Sequence, residues 1–283
     1  MSPELLIWTG EREVKELPRS SVLKWSPDVR WLIAIVLGCA FAAQAQTPAR
    51  KQDKAKDKDT AKQPAAQTVD SGSFGVFIKG QRVVTESFSV RQERGLSIIK
   101  SHLKDASGTA NNDQSSELEI MPNAQLVRYE WDETTPAVSS LVVTPSNEFL
   151  IEKISTSTSA KPAEQPFLMP NTSMILDNNF FVHREVLLWR YLAADCHPEG
   201  GNLQCQKGPV EFGVLVPQDR TSMRVRMELL GKEKVNIRGA ERELLRLNLS
   251  GEGFTWALWV DDHDQFKLMR VAIPADNTEV VRD

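Results

Sequence analysis

Met223, Val225, Met227 and Leu229 alternate with Arg224, Arg226 and Glu228, and this two-residue rhythm recurs through most of the chain after residue 72. Period-two alternation puts successive side chains on opposite faces of an extended strand, so each such segment belongs to a sheet with one apolar and one polar face. Phe74, Val76 and Ile78 open the pattern, and Lys79-Gly80-Gln81 turns it. Arg82–Glu93 carries Phe88 and Val90 on one face and Ser87 and Ser89 on the other, before Arg94-Gly95 turns into Leu96–Lys104. Such close spacing reads as a meander of antiparallel hairpins. A polar loop follows at 105–114; then come Leu118 and Ile120, the alternation Val127, Tyr129, Trp131, and a hairpin of Leu141–Val143 and Phe149–Ile154 around Pro145-Ser146-Asn147. Residues 155–166, rich in Ser, Thr, Ala and Pro, read as a loop. Strands resume after Pro209 with Met223–Leu229, then Leu245, Leu247 and Leu249, then Trp256, Leu258 and Val260. An acidic turn, Asp261-Asp262-His263-Asp264, leads into Phe266–Ile273. The two halves are alike in outline, each closing on an aromatic strand, a polar turn and an apolar strand, although they do not align residue by residue.

One segment breaks the rhythm. After Asp177-Asn178, which are good caps, the run NFFVHREVLLWRYLAA predicts a helix over 179–194. Asn179, His183 and Arg190 share a narrow stripe, Arg184 and Glu185 interrupt the remainder, and apolar residues cover most of the circumference. A helix apolar on so many sides is buried by more than one surface. Phe180, Phe181, His183, Leu187, Trp189 and Arg190 are therefore the candidate cavity-lining or lid residues.

The N-terminal quarter is different. Residues 31–43 carry no charge, which fits a signal-peptide core better than a bilayer span of about 20 residues. Arg30 precedes the run, and Ala43-Gln44-Ala45 supplies the small-x-small pattern for cleavage after Ala45. Two competing readings are an uncleaved anchor ending at Arg50 and a lipoprotein signal on Val36-Leu37-Gly38-Cys39, the latter weakened by the apolar residues after Cys39. Residues 1–30 are a polar extension, consistent with a start at Val29. Residues 46–71 interleave Lys and Asp with Ala, Gln and Pro and read as a disordered charged tether, too poor in apolar residues to offset the cost of ordering. The expected organisation is 1–30, a signal segment at 31–45, a tether at 46–71 and a single β-rich domain at 72–283. The expected location is periplasmic, with membrane attachment only if the signal segment stays as an anchor.

Gly75–Gly80 before an amphipathic strand, Leu176-Asp177-Asn178 leading into an aromatic helix, and the closing Leu258-Trp259-Val260-Asp261 hairpin resemble exported bacterial proteins whose architecture is similar to the lipoprotein-carrier (LolA/LolB-like) β-clam. The resemblance covers 72–283. It implies a strongly curved antiparallel sheet, a half-barrel with one helix in its concavity, and an apolar cavity for acyl chains. It supplies no catalytic residues.

The net charge is −4, and since residues 1–45 contain five basic and five acidic residues, the body keeps that balance. A weakly acidic body has no global attraction to phosphate backbones, which argues against a nucleic-acid partner. Cys196 and Cys205 flank Gly200-Gly201, which lets the chain reverse, and in an oxidising compartment they form a disulfide. Metal binding by Asp195, Cys196, His197 and Cys205 is disfavoured, because the spacing is wrong and adjacent Cys196 and His197 have difficulty facing one ion. His183 reads as a hydrogen-bonded histidine at a core edge, since its neighbours Arg184 and Glu185 do not face it on a helix. The 261–264 turn lacks the spaced oxygens of a calcium loop. Gly72-Ser73-Phe74-Gly75 is not a nucleophile elbow, and phosphate-loop and dinucleotide fingerprints are missing. Trp131, Trp189, Trp256 and Trp259 stand where core packing explains them better than carbohydrate binding. The expectation is a non-enzymatic binding module without cofactor, taking a hydrophobic ligand such as a lipid or an envelope protein. The alternative is a structural or interaction domain whose helix fills its own concavity, with a hydrolase third. Leftover apolar volume favours the first, a filled core the second, and clustered carboxylates the third.

Overall fold

A computed structural model describes residues 66–283 apart from 107–111, 158–160, 201 and 207. The expectations for the polar extension, the signal segment and the tether up to residue 65 lie outside the described residues.

The first half forms eight strands: β1 (Gln67–Ile78), β2 (Gln81–Glu93), β3 (Leu96–Asp105), β4 (Asp113–Ile120), β5 (Leu126–Thr135), β6 (Ser139–Ser146), β7 (Phe149–Thr156) and β8 (Ala163–Leu168). A two-residue strand β9 (Met174–Ile175) precedes helix α1 (Val182–Asp195) and a small hairpin of β10 (Cys196–Glu199) and β11 (Asn202–Cys205). The second half comprises β12 (Val210–Val216), β13 (Thr221–Ile237), β14 (Ala240–Gly251), β15 (Phe254–Asp261), β16 (Lys267–Ile273) and β17 (Thr278–Arg282). The protein is mainly β. Each half is a meander in sequence order, and the two join where β1 pairs with β17, Phe74 opposite Arg282. The resulting 15-stranded sheet is open, with β8 at one end and β9 at the other. It is antiparallel except for the β9–β12 pair. The strongly curved half-barrel implied by the resemblance is thus corrected to a large open sheet with one helix on its apolar face.

Tight turns set the register. Lys79-Gly80, Arg94-Gly95 and Arg238-Gly239 each have both residues at positive φ, the mirror-image turn geometry that matches strand twist and that glycine adopts freely. In β13 the register with β14 shifts between Leu229 and Gly231, where Gly231 has φ 125°, and this bulge carries the strand on to Ile237. A shift opposite Ile120 puts Leu126 rather than Val127 in the core.

Three boundaries differ from the sequence reading. β1 begins at Gln67, inside the stretch assigned to the tether, because Asp70 is buried against Arg282. β8 occupies part of the expected 155–166 loop; its Pro166 opposite Ile151 is tolerated because β8 is an edge strand. The helix begins at Val182 rather than 179, because Asp177 and Asn178 do not cap it directly.

Phe88, Ile99, Leu118, Tyr129, Leu141 and Leu150 from the first meander meet Val214, Val225, Leu247, Leu258, Val271 and Val280 from the second in one apolar cluster that includes α1. On the opposite face Val235, Ile237, Leu244, Ala257 and Trp259 form a smaller cluster. There the Trp259 ring lies between the guanidinium groups of Arg246 and Arg270, each 4.7 Å from its centroid. No helix among the described residues is long and apolar enough to cross a membrane.

Candidate functional site: the buried charges around the helix

The helix enters the apolar face with an unusual load. Asp177, His183, Arg184 and Glu185 are fully buried, and so is Glu86 of β2. Isolated buried charge is strongly unfavourable, so each must find partners.

Glu86 supplies the cap that the local sequence does not. Its carboxylate accepts the backbone N–H of Phe181 at 2.6 Å and of Val182 at 3.2 Å, and the Ser101 hydroxyl at 2.8 Å. A carboxylate at a helix N-terminus satisfies orphan N–H groups and meets the positive end of the dipole. Burial pushes the Glu86 pKa up to about 7, opposed by those three hydrogen bonds and by Arg184.

Asp177 stands on the other side of the same helix start. It accepts the Tyr129 hydroxyl, the Gln218 side-chain amide and the Asn179 N–H at 2.7 Å. Burial raises its pKa and these bonds pull it back. The Arg184 guanidinium donates to the carbonyls of Asp177 and of Phe180, the latter at 2.7 Å, and lies between the rings of Phe181 (4.8 Å) and Trp256 (4.9 Å). Its pKa is lowered to about 10 by burial, against the opposing charges of Asp177 and Glu86. His183 Nδ1 accepts the Asp177 N–H at 3.3 Å, and burial followed by the Arg184 charge pushes its pKa to about 3, so the ring is neutral at physiological pH.

A second group ties the next residue. Glu185 accepts the Leu268 N–H at 3.3 Å and faces Arg282 at 3.3 Å, while Arg282 also donates to both Asp70 oxygens at 2.6 Å. Burial raises the Glu185 pKa well above the usual carboxylate range, with Arg282 lowering and Asp70 raising it. The Arg282 guanidinium stacks on Phe74 and Phe88. Arg184 and Glu185, which break the apolar pattern in sequence, thus join the helix to Trp256 of β15, Leu268 of β16 and Arg282 of β17, and through Arg282 to Asp70 of β1. The Glu185 partner Arg282 stands 97 residues away in the chain, and no local signal reveals it.

The residues singled out from sequence divide along the helix. Phe180, Phe181, His183 and Leu187 are packed into the core. Trp189 is half-buried and donates to the Phe266 carbonyl at 3.0 Å. Among the clefts that the described residues form at the surface are ones of about 420 and 510 Å³; of the six residues only Arg190 lines either. Neither Glu86, Asp177 nor Glu185 lines them. Cys196 and Cys205 form a disulfide, directly opposite each other in the β10–β11 hairpin with Cα atoms 4.0 Å apart. His197 is exposed, its ring 3.9 Å from Glu199. In the 261–264 turn, lysines already occupy the carboxylates: Lys232 is 2.8 Å from Asp262 and Lys267 3.0 Å from Asp264.

One buried carboxylate stands apart. Glu152 of β7 is 1% exposed, accepts no hydrogen bond from the described residues, and has Arg220 of the β12–β13 turn at 3.8 Å. Burial raises its pKa to about 7, and Arg220 opposes the shift.

Compared with known proteins, the chain matches no protein-family model, no curated protein and no solved structure, so the interpretation of this site rests on its geometry.

Proposed function

We propose that this is a non-enzymatic structural or interaction domain working outside the cytoplasm, its apolar face filled by its own helix. The observation that carries the reading is the set of buried contacts from sheet to helix: Glu86 on the Phe181 and Val182 amides, Arg282 paired with Glu185, and the Trp256 ring against Arg184. Lifting the helix to admit a ligand beneath it would strip Glu86 of the Phe181 and Val182 amides, Glu185 of Arg282 and the Leu268 amide, and Arg184 of the Trp256 ring. Removing one partner from a buried ion pair costs about 3–5 kcal/mol, so a helix held this way serves as scaffold and not as a lid. The clustered carboxylates serve the same anchoring, and Glu86, Asp177 and Glu185 line neither of the two clefts described above. The Cys196–Cys205 disulfide supports an oxidising, extracytoplasmic address.

Transfer of a fluorescent two-chain phospholipid from vesicles tests the reading against a carrier. The expected result is no saturable transfer. Stoichiometric transfer accompanied by loss of amide protection in α1 would overturn it.

A further inference from the structure

Arg190 differs from every other helix residue described above. It is half-buried, donates through Nη1 to the Thr172 carbonyl, and has the Phe212 ring centroid 5.7 Å away. Burial lowers its pKa with no carboxylate offsetting the shift. Arg224, across the same cleft, is by contrast paired with Glu211 at 3.0 Å, and Arg226 shares that glutamate at 3.4 Å. A guanidinium has five donors in a fixed fork suited to a carboxylate or phosphate. Most of the Arg190 fork is not used by the contacts described.

The cleft that Arg190 lines measures about 510 Å³ and runs along β12, beside the segment from Leu168 to Ser173. That volume lies within the range of small-ligand sites, about 300–1,000 Å³. Its walls are two-sided in chemistry. Thr172, Ser173 and Ser222 offer hydroxyls, Met169, Phe212 and Met223 offer apolar surface, and the one carboxylate in the wall, Glu211, is paired with Arg224 and Arg226. Leu168 at the rim is 73% exposed although it is a large apolar residue. Methionines adapt their shape to a flexible chain.

We propose that this cleft binds a single-chain amphiphilic anion, with its carboxylate or phosphate head on Arg190 and its apolar chain along Met169, Met223 and Leu168. The cleft opens at the surface, while Met169, Phe212 and Met223 of its wall also pack on the core that α1 covers.

Calorimetric titration of the full chain with decanoate, decyl phosphate, decanol and inorganic phosphate, each below any micelle concentration, tests it. Decanoate and decyl phosphate should bind saturably at one site, and decanol and inorganic phosphate at least tenfold more weakly. Arg190→Gln should weaken decanoate about tenfold or more, as loss of a charge-assisted hydrogen bond implies. Arg224→Gln should change affinity by less than about threefold, since that charge is already paired. Arg190 also holds the Thr172 carbonyl, so Met223→Asp provides a second probe: it leaves Arg190 in place and should abolish decanoate binding. The proposal is overturned by any of three results: wild-type protein that does not bind decanoate, decanol binding as tightly as decanoate, or decanoate affinity that neither Arg190→Gln nor Met223→Asp alters.

Discussion

At its N-terminal end, α1 is held by charges drawn from both halves of the sheet: Glu86 on the Phe181 and Val182 amides, Asp177 on Tyr129 and Gln218, Glu185 on Arg282. At its C-terminal end, Trp189 has one hydrogen bond to a turn, Arg190 faces a cleft, and the chain leaves through a disulfide hairpin. The contrast shows that one helix divides its labour. The first turn and a half fixes the fold through buried polar groups, and the last turn leaves a cation available at the surface. Hydrophobic pattern alone ranks the two ends the other way, because Trp189 looks more like core than Arg184 does.

The comparison breaks most severely at Arg184. Arg184→Met keeps side-chain length but leaves Asp177, Glu86 and the Phe180 carbonyl without their cation; urea unfolding should show a loss of about 3–5 kcal/mol. A loss below about 1 kcal/mol would mean the buried charges are not what holds this end.

At the other end, replacing Cys196 and Cys205 together by Ser opens a loop of sequence separation 9 and should lower stability by about 2.5–3 kcal/mol in the chain-entropy model. The same loss should appear when the wild type is reduced; a reductant-insensitive midpoint contradicts it.

Glu86 and Glu152 sharpen the argument, because burial lifts both pKa values to about 7 yet only Glu86 is hydrogen-bonded. A carboxylate whose folded pKa is raised favours folding in its protonated form. Its contribution is therefore complete below the unfolded value near 4.5 and is lost as pH rises through about 7. Glu152→Gln removes that loss, so the variant should be more stable than wild type by about 2–3 kcal/mol at pH 8.5 and nearly equal to it at pH 4.5. Glu86→Gln should instead destabilise at pH 4.5 and at pH 8.5, since an amide has one acceptor oxygen for three donors. Chemical unfolding at both pH values separates the two, and parallel behaviour of the variants would remove the distinction.

The smallest effect belongs to Trp189. Being half-buried, Trp189→Ala should cost about 1–3 kcal/mol, below the range of about 3–5 kcal/mol for a fully buried tryptophan. Thermal unfolding measures it, and a larger loss would mean that Trp189 is held as firmly as the buried Leu188, Tyr191 and Leu192 beside it.

Much of this fold is legible in the chain itself. Met223–Leu229 and Phe88/Val90 announce strands by alternation, Lys79-Gly80 and Arg94-Gly95 announce the turns, and Cys196 and Cys205 stand close enough to pair. Other features depend on distant partners. Asp70 looks like tether until Arg282 of the last strand is placed beside it. Residues 163–168 look like loop because β8 is an edge strand that needs little apolar pattern and accepts Pro166. Glu185 looks like a break in an apolar helix because its ion partner comes from β17. Local pattern encodes burial of apolar groups well, whereas a buried charge is encoded only jointly with its partner.

The most direct test of the claim that α1 is scaffold is native-state hydrogen exchange of its amides, with Phe181 and Val182 included, measured beside those of β2 and β5. If the buried charges lock the helix, the α1 amides should exchange only through global unfolding, with the same opening free energy as β2 and β5. Arg184→Met should then lower that value for all three elements together. Exchange of the α1 amides through a separate, lower-energy opening, while β2 and β5 stay protected, would contradict the account and make the helix a movable cover.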